Sequence, residues 1–300
     1  MLTVEPPALR KPADKTVPAR LVGTAFGSPR EFLGNRFVYA VVSPRARGLS
    51  IGVNLNPDQE CNFDCMYCEV DRRNRCRAAQ LDVDAMAGEL SRTLAMVHSG
   101  ALATTPGFQG LPADLLKLRQ VNLSGDGEPT LCPVFLDVVQ AVSHVRARSG
   151  LPFFKIVLIT NATGLNRPEV IEGIRSLTGR DEVWAKLDAG TQAYMDRINQ
   201  PTVLLDKVLA NILSLAQQRP VVIQSLFPMV RGQEPLEQEI REYSQRLQEL
   251  KEAGAKISLV QIYSANRPTP RSECSHLPLR SLARIAQTVR ATTGLPVEVF

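Results

Sequence analysis

From about residue 48 onward, apolar runs of strand length alternate with amphipathic stretches of helix length. The runs GLSIGVNL (48–55), LRQVNLS (118–124), FKIVLIT (154–160), EVWAKLD (182–188), PVVIQSLF (220–227) and KISLVQIY (256–263) read as strands. Each is short, bounded by turn residues and rich in β-branched side chains. After each in turn, residues 82–97, 133–148, 168–177, 203–217, 235–252 and 279–293 carry apolar positions at helical spacing. This alternation predicts a parallel sheet, because a parallel crossover needs a helix-length connection. IVLIT and VVIQSLF are nearly continuous apolar β-formers, the pattern of strands covered on both faces. Six β-α units fall short of a closed eightfold barrel. The expected α/β fold is therefore a partial (β/α)6 barrel of parallel strands, open on one side where a large substrate can enter. Residues 1–35, rich in Pro, Lys, Arg and small residues, are expected to form an extended or partly ordered arm. Residues 36–300 are expected to form one domain that includes a C-terminal helix and a short terminal strand.

Composition narrows the classes. With 300 residues, 44% hydrophobic and 22% charged, the chain can bury one large α/β core. No apolar run approaches the ~18 residues of a spanning helix, so no membrane partner is expected. The N-terminal stretch MLTVEPPALRKPADKTVPAR lacks the long apolar segment of a secretory signal, which makes a cytoplasmic location the expectation. The net charge of +5 is compatible with a polyanionic partner without requiring one. Four arginines in DRRNRCR (71–77) form either a solvated basic loop or a phosphate- or substrate-binding segment.

Six cysteines are too few for a disulfide scaffold in a chain of this length. Three of them fall in Cys61-Asn-Phe-Asp-Cys65-Met-Tyr-Cys68, after the first predicted strand and beyond the turn residues Asn56, Pro57 and Asp58. Soft thiolates gathered at one point select iron-sulfur clusters, zinc or Cu(I), and a cubane with only three cysteine ligands keeps one iron open for another ligand. Structural zinc usually draws two separated cysteine pairs; here no second pair exists, and His98, His144 and His276 are isolated. Cys76, Cys132 and Cys274 have no close cysteine neighbour and read as free thiols rather than an auxiliary cluster.

The C-x₃-C-x₂-C spacing, with an aromatic residue before the third cysteine, resembles the signature of the radical S-adenosylmethionine (SAM) superfamily. Ser124-Gly125-Asp126-Gly127-Glu128-Pro129-Thr130 resembles the family's Gly-Gly-Glu segment. Together SPRARGLSIGVNLNPDQECNFDCMYCE, SGDGEPTL, VWAKLDAGTQAYMDRINQP and VQIYSANRPTPR are similar to the radical SAM enzymes of the group that makes wyosine on tRNA, a likeness running from about residue 43 to the C-terminus. Those enzymes have further cysteines for a second cluster upstream of the motif; this chain has none before Cys61. The resemblance implies a [4Fe-4S] cluster on Cys61, Cys65 and Cys68, with SAM on the open iron. Tyr67 would lie near the adenine, and Ser124, Gly125, Asp126, Gly127 and Glu128 would face the methionine end. Glycines permit close backbone approach and φ values barred to other residues, which suits Gly125 and Gly127 to that task.

Ligands in a parallel α/β sheet gather at the C-terminal strand ends. That rule selects Asn161, Lys186, Asp188, Gln224, Ser225, Gln261, Tyr263 and Arg267. Lys186 is the candidate catalytic residue: it would pair with the SAM carboxylate or work as a low-pKa amine in Schiff-base chemistry. The structural alternative is an ion pair with Asp188 or Asp181. Arg267 and Arg271 are candidates for a substrate phosphate or carboxylate.

The implied function is reductive cleavage of SAM to a 5′-deoxyadenosyl radical that abstracts hydrogen from a substrate. The electron donor would be a flavodoxin or ferredoxin, and the substrate tRNA, a small metabolite or a peptide. Only 5% of residues are aromatic, which leaves few stacking platforms for RNA. A different class, a noncatalytic Fe-S or zinc module contacting nucleic acid, would have no use for the SGDGEP segment.

Overall fold

The computed structural model describes residues 25–26, 32–71, 80–265, 267 and 269–300. Ten strands form among the described residues: β1 (Val38–Ser43), β2 (Gly48–Asn54), β3 (Leu118–Ser124), β4 (Lys155–Thr160), β5 (Glu182–Lys186), β6 (Val221–Leu226), β7 (Met229–Val230), β8 (Ile257–Tyr263), β9 (Cys274–Ser275) and β10 (Val297–Val299). Eight of them make one sheet in the order β1-β2-β3-β4-β5-β6-β8-β10, and β7 and β9 pair as a small antiparallel ribbon. From β2 to β10 every neighbouring pair is parallel; only β1 runs antiparallel, against β2. The sheet is not closed, so the expected open, mostly parallel α/β architecture is what forms.

The connecting helices are α1 (Val83–Ser99), α2 (Phe135–Arg148), α3 (Pro168–Ser176), α4 (Gln192–Ile198), α5 (Leu205–Gln218), α6 (Glu237–Glu252) and α7 (Leu279–Thr293). Their ends follow local chemistry. The Asp82 carboxylate accepts from the Ala85 N–H at 3.0 Å to start α1, and Gly100 in the left-handed region stops it. Pro168 opens α3 at a position that has no N–H to lose, and Gly294 at φ 66° ends α7. All six expected strands and six expected helices form with bounds within two residues of the pattern. β1, α4 and the short strands β7 and β9 lie outside that pattern. β1 joins β2 through Pro44–Arg47 without an Asn-Gly or Asp-Gly hairpin signal, and α4 is a short helix capped by Thr191, whose hydroxyl accepts from the Tyr194 N–H at 3.2 Å.

The strand period of two sorts the sheet into two faces. Ile51, Val53, Val121, Leu123, Ile156, Leu158, Val183, Ala185, Val221, Ile223, Val260 and Ile262 are buried in the main core with the helices. Burial of each Val, Leu or Ile side chain among them contributes roughly 1.5–3 kcal/mol. The registers place the intervening residues together on the concave face: Ser50 beside Gln120, Asn54 beside Ser124, Lys186 beside Gln224, and Gln224 beside Gln261. This face is also buried, but mostly polar toward the C-terminal strand ends, with an apolar patch of Val157, Trp184 and Val222 flanked by Ile159 and Leu259. The chain is thus a barrel wall whose lumen carries the polar residues.

The edges of the wall, β1 and β10, are linked across the opening. Arg47, in the β1–β2 turn, bonds Glu298 of β10 at 2.7 Å, and the Arg45 guanidinium lies 4.3 Å from the centre of the Tyr263 ring on β8. Within the expected arm, Ala25 is buried, with its C=O accepting from the Val42 N–H at 2.6 Å; Phe32 is also buried, edge-on to Phe108.

Candidate functional site

The loop after β2 carries the three clustered cysteines, and backbone geometry fixes it on both sides. Its start is tied to β3 by the Leu55 N–H to the Ser124 C=O at 2.8 Å, and a left-handed Gln59 turns the chain back. Beyond the turn, the Glu60 carbonyl accepts from the Glu128 N–H at 2.9 Å, and a Cβ on Gly127 would lie 1.8 Å from that same oxygen. Only glycine lets the β3 end and the cysteine loop meet this closely. On its other flank the loop pairs with residues 198–202. The Met66 N–H donates to the Ile198 C=O at 2.8 Å, the Thr202 N–H donates to the Asn62 C=O at 3.0 Å, and Phe63 bridges Pro201.

The result holds Cys61, Cys65 and Cys68, none in a disulfide and all partly exposed, at the C-terminal end of the barrel strands. A knot of buried polar groups stands directly behind Cys65. The Asn199 amide donates to Cys65 Sγ at 3.4 Å, to the Tyr67 hydroxyl oxygen at 3.1 Å and to Asp188 Oδ2 at 2.8 Å. The Tyr67 hydroxyl donates to the same Asp188 oxygen. The other oxygen, Oδ1, accepts from the Leu226 N–H at 2.8 Å and from Lys186 Nζ at 3.4 Å. Lys186 also donates to the Tyr263 hydroxyl oxygen at 3.2 Å; that hydroxyl donates to Gln224 Oε1 at 3.3 Å, and the Gln224 amide to Gln261 Oε1 at 3.1 Å.

Electrostatics follow from this geometry. Burial, reinforced by the Asp188 charge, pushes the Cys65 thiol up to about 12, and the same two causes push the Tyr67 hydroxyl above its ordinary value. Burial acts to lower the Lys186 pKa, but the Asp188 carboxylate, aided by the hydrogen bond to Tyr263, outweighs it and holds the ammonium above its ordinary value. Lys186 therefore stands between the Asp188 carboxylate and the Tyr263 hydroxyl, its Nζ within hydrogen-bond reach of both.

The strand-end rule therefore brings Lys186, Asp188, Gln224, Gln261 and Tyr263 into one hydrogen-bonded network. Ser225 falls on the other face, its hydroxyl 2.6 Å from that of Tyr243 on α6. Asn161 is nearby in a different role: its amide donates to Asn62 Oδ1 at 2.9 Å, bracing the loop beside Cys61. Ser124 meets the Tyr39 hydroxyl at 3.2 Å, and Asp126 Oδ2 accepts from Asn54 at 2.8 Å. Neither Gly125 nor Gly127 adopts a positive φ, so the special φ values expected of them are not used. Their missing side chains instead make room for Asn54, Asn56 and Glu60. The Glu128 carboxylate is engaged within the protein, accepting from Thr130 N at 3.1 Å, Thr130 Oγ1 at 2.6 Å, Asn161 N at 2.7 Å and the Thr160 hydroxyl. Burial raises its pKa against the pull of these donors.

Arg267 bonds Glu69 at 2.8 Å, and Arg271 pairs with Asp64, so both guanidinia face carboxylates of the cysteine loop. Cys132 is buried, Cys274 is buried on β9, and the three histidines are exposed. Cys76 and residues 72–77 of the arginine-rich stretch lie outside the described residues. Asn199 is a residue of this network that pattern reading missed; its signal was a lone Asn after a short helix, inside the similar segment ending INQP. A cleft of about 680 Å³ opens elsewhere, between α3 and α5, lined by Ile171, Ile174, Asn211, Leu215 and Arg219 and sharing no lining residue with the cysteine loop.

Among the described residues no three His, Cys, Asp or Glu side chains form a ready-made metal shell. The fit to a cluster lies in the donor set: three cysteines within eight residues, none in a disulfide and all partly exposed.

A comparison with models of known protein families finds no match. The chain is 24% identical over 84% of its length to a UPF0026 protein of Helicobacter pylori strain J99, 79% of which it spans. It is 25% identical over 60% of its length to a UPF0026 protein of Synechocystis, spanning 60% of that protein. Among solved structures it is similar to a radical SAM methyltransferase from Sphaerobacter thermophilus, with a TM-score of 0.60 at 15% identity, covering 88% of this chain and 68% of that one. It is also similar to SuiB of Streptococcus suis bound to S-adenosylmethionine (TM-score 0.55, 15% identity, 81% and 49% covered) and to TYW1 with a lysine-pyruvate adduct bound (TM-score 0.52, 15% identity, 83% and 74% covered). The chain has the fold of radical SAM enzymes.

Proposed function

We propose that this chain is a radical SAM enzyme that carries a [4Fe-4S] cluster on Cys61, Cys65 and Cys68 and modifies its substrate by hydrogen abstraction. The observation that carries the reading is the three-thiol loop seated at the C-terminal mouth of an open parallel barrel, backed by the Asn199–Asp188–Lys186 network. When bound and reduced, the cluster would supply the electron that splits SAM into methionine and a 5′-deoxyadenosyl radical. The chain's own residues do the rest. Asn199 orients Cys65, Asp188 holds Tyr67 and Lys186 in place, and the Lys186 ammonium offers the SAM carboxylate a cation that is only partly neutralised at 3.4 Å. Gln224 and Gln261 continue that network along the lumen wall as neutral donors and acceptors.

For the substrate we put tRNA first, on the likeness of four segments to the wyosine group and the net charge of +5, with a small metabolite or peptide second. The enzyme would work in the cytoplasm with a flavodoxin or ferredoxin as donor; no described helix is long and apolar enough to cross a membrane.

The test is anaerobic reconstitution with iron and sulfide, reduction with dithionite, addition of SAM and an assay for 5′-deoxyadenosine. Release by the wild type and none by Cys65→Ala is the expected outcome. A fully loaded cluster that releases no product would leave a noncatalytic Fe-S module as the better reading.

A further inference from the structure

Charge balance around the lumen singles out one residue. Lys186 faces Asp188, Lys155 faces Glu182, Arg47 faces Glu298, Arg267 faces Glu69 and Arg271 faces Asp64. Among the described residues Arg45 faces no carboxylate. In the β1–β2 turn it is partly buried and makes no hydrogen bond or ion pair with a described residue. Its Nε is buried without a partner, and its one contact of note is the Tyr263 ring, 4.3 Å from the guanidinium carbon. A partly desolvated cation whose buried Nε has no partner among the described residues is costly. The aromatic ring offsets part of that cost but gives the N–H fork no carboxylate or carbonyl to bond. Tyr263 is the side chain whose hydroxyl bonds both Lys186 and Gln224, so Arg45 stands over the same lumen as the proposed centre, on the side where the barrel opens.

We propose that Arg45 anchors the substrate by binding an oxyanion, a phosphate or carboxylate, with the remainder of the substrate extending past Tyr263 toward Lys186 and the cysteine loop. The guanidinium fork matches both anions in bidentate fashion. Placing it on the turn that bridges the open edge puts the anchor where an incoming molecule must pass. The role in substrate positioning rests on the radical SAM reading; the anion contact itself does not. The competing account is purely structural: Arg45 clamps the opening beside the Arg47–Glu298 pair.

The full chain is titrated calorimetrically with inorganic phosphate and, separately, with acetate, both as purified and after cluster reconstitution with SAM present and no reductant. Saturable binding by the wild type is expected, weakened about tenfold or more in Arg45→Gln, the scale of one charge-assisted hydrogen bond. Arg45→Lys should fall between them, since it keeps the charge but not the fork. The anion held more tightly names the class of substrate. Wild type that binds neither anion, or variants that bind both as tightly as wild type while only their melting temperature falls, would overturn the proposal. Should Arg45→Gln not fold, Arg45→Lys decides by the same criterion. Anion binding that depends on Arg45 in a wild type that releases no 5′-deoxyadenosine would sink the radical SAM reading and leave the anion site standing.

Discussion

Strand β5 has a buried aspartate at each end, and the two live differently. Asp181, just before the strand, has its side chain fully buried and is gripped by Arg146 through two parallel bonds of 2.5 and 3.1 Å, by the Ile156 N–H at 2.8 Å and by Thr178. Burial alone would raise it, yet these donors hold its carboxyl below the usual carboxylate range. Asp188, just after the strand, has one cation at 3.4 Å, and its remaining bonds come from neutral donors: Tyr67, Asn199 and the Leu226 N–H. The first carboxylate is neutralised by a rigid fork and holds the N-terminal end of the barrel. The second leaves its lysine incompletely neutralised, beside the cysteine loop. Parallel sheets concentrate ligands at the carboxyl ends of strands, and here the same strand shows what that asymmetry means in charge.

Breaking the structural end should have the largest effect on stability. Asp181→Asn leaves Arg146 without its counter-charge, and urea unfolding should show a loss of about 3 kcal/mol or more; less than about 1 kcal/mol would show that the pair is not a keystone. The pH dependence sharpens this. The folded pKa of Asp181 is depressed, so its stabilisation is complete above its unfolded value near 4 and lost as pH falls through the lower folded value. Acid unfolding of the variant should therefore have a flatter limb than that of the wild type.

At the other end the balance inverts. Asp188→Asn should cost about 1–2 kcal/mol, because two of its partners are neutral side chains that an amide can still bond. Release of 5′-deoxyadenosine should nevertheless drop tenfold or more. A variant that unfolds more readily than Asp181→Asn, or that keeps full activity, breaks the contrast. The smallest effect is expected for Arg47→Ala at the open edge. That pair is exposed, and its loss should change unfolding by no more than about 0.5 kcal/mol; a larger loss would mean the edges depend on it.

Much of this was readable from local pattern. The six long strands and their helices follow from hydrophobic periodicity, and the strand-end rule picked out Lys186, Asp188, Gln224 and Gln261 because a period of two puts them on one face. It also picked Ser225, which the same period turns away from them. Asn199 escaped because its task depends on a pairing between the cysteine loop and residues 198–202, which no local period encodes. Arg45 escaped because its partner lies across an opening that exists only once the sheet has curled. Glu128 looked like a ligand-facing carboxylate; its oxygens are engaged by Thr130, Thr160 and Asn161, a saturation visible only when β3 and β4 stand side by side.

The chain has one tryptophan, and Trp184 is buried in the apolar patch of the lumen, one step of about 7 Å along β5 below Lys186, with its indole N–H bonded to Glu182 at 2.8 Å. Its light emission therefore comes from a single dry site inside the barrel. Excited selectively, the protein reports on its own interior: water reaching that layer would shift the emission to the red, and whatever fills the space above it would change the intensity, without any label having been added.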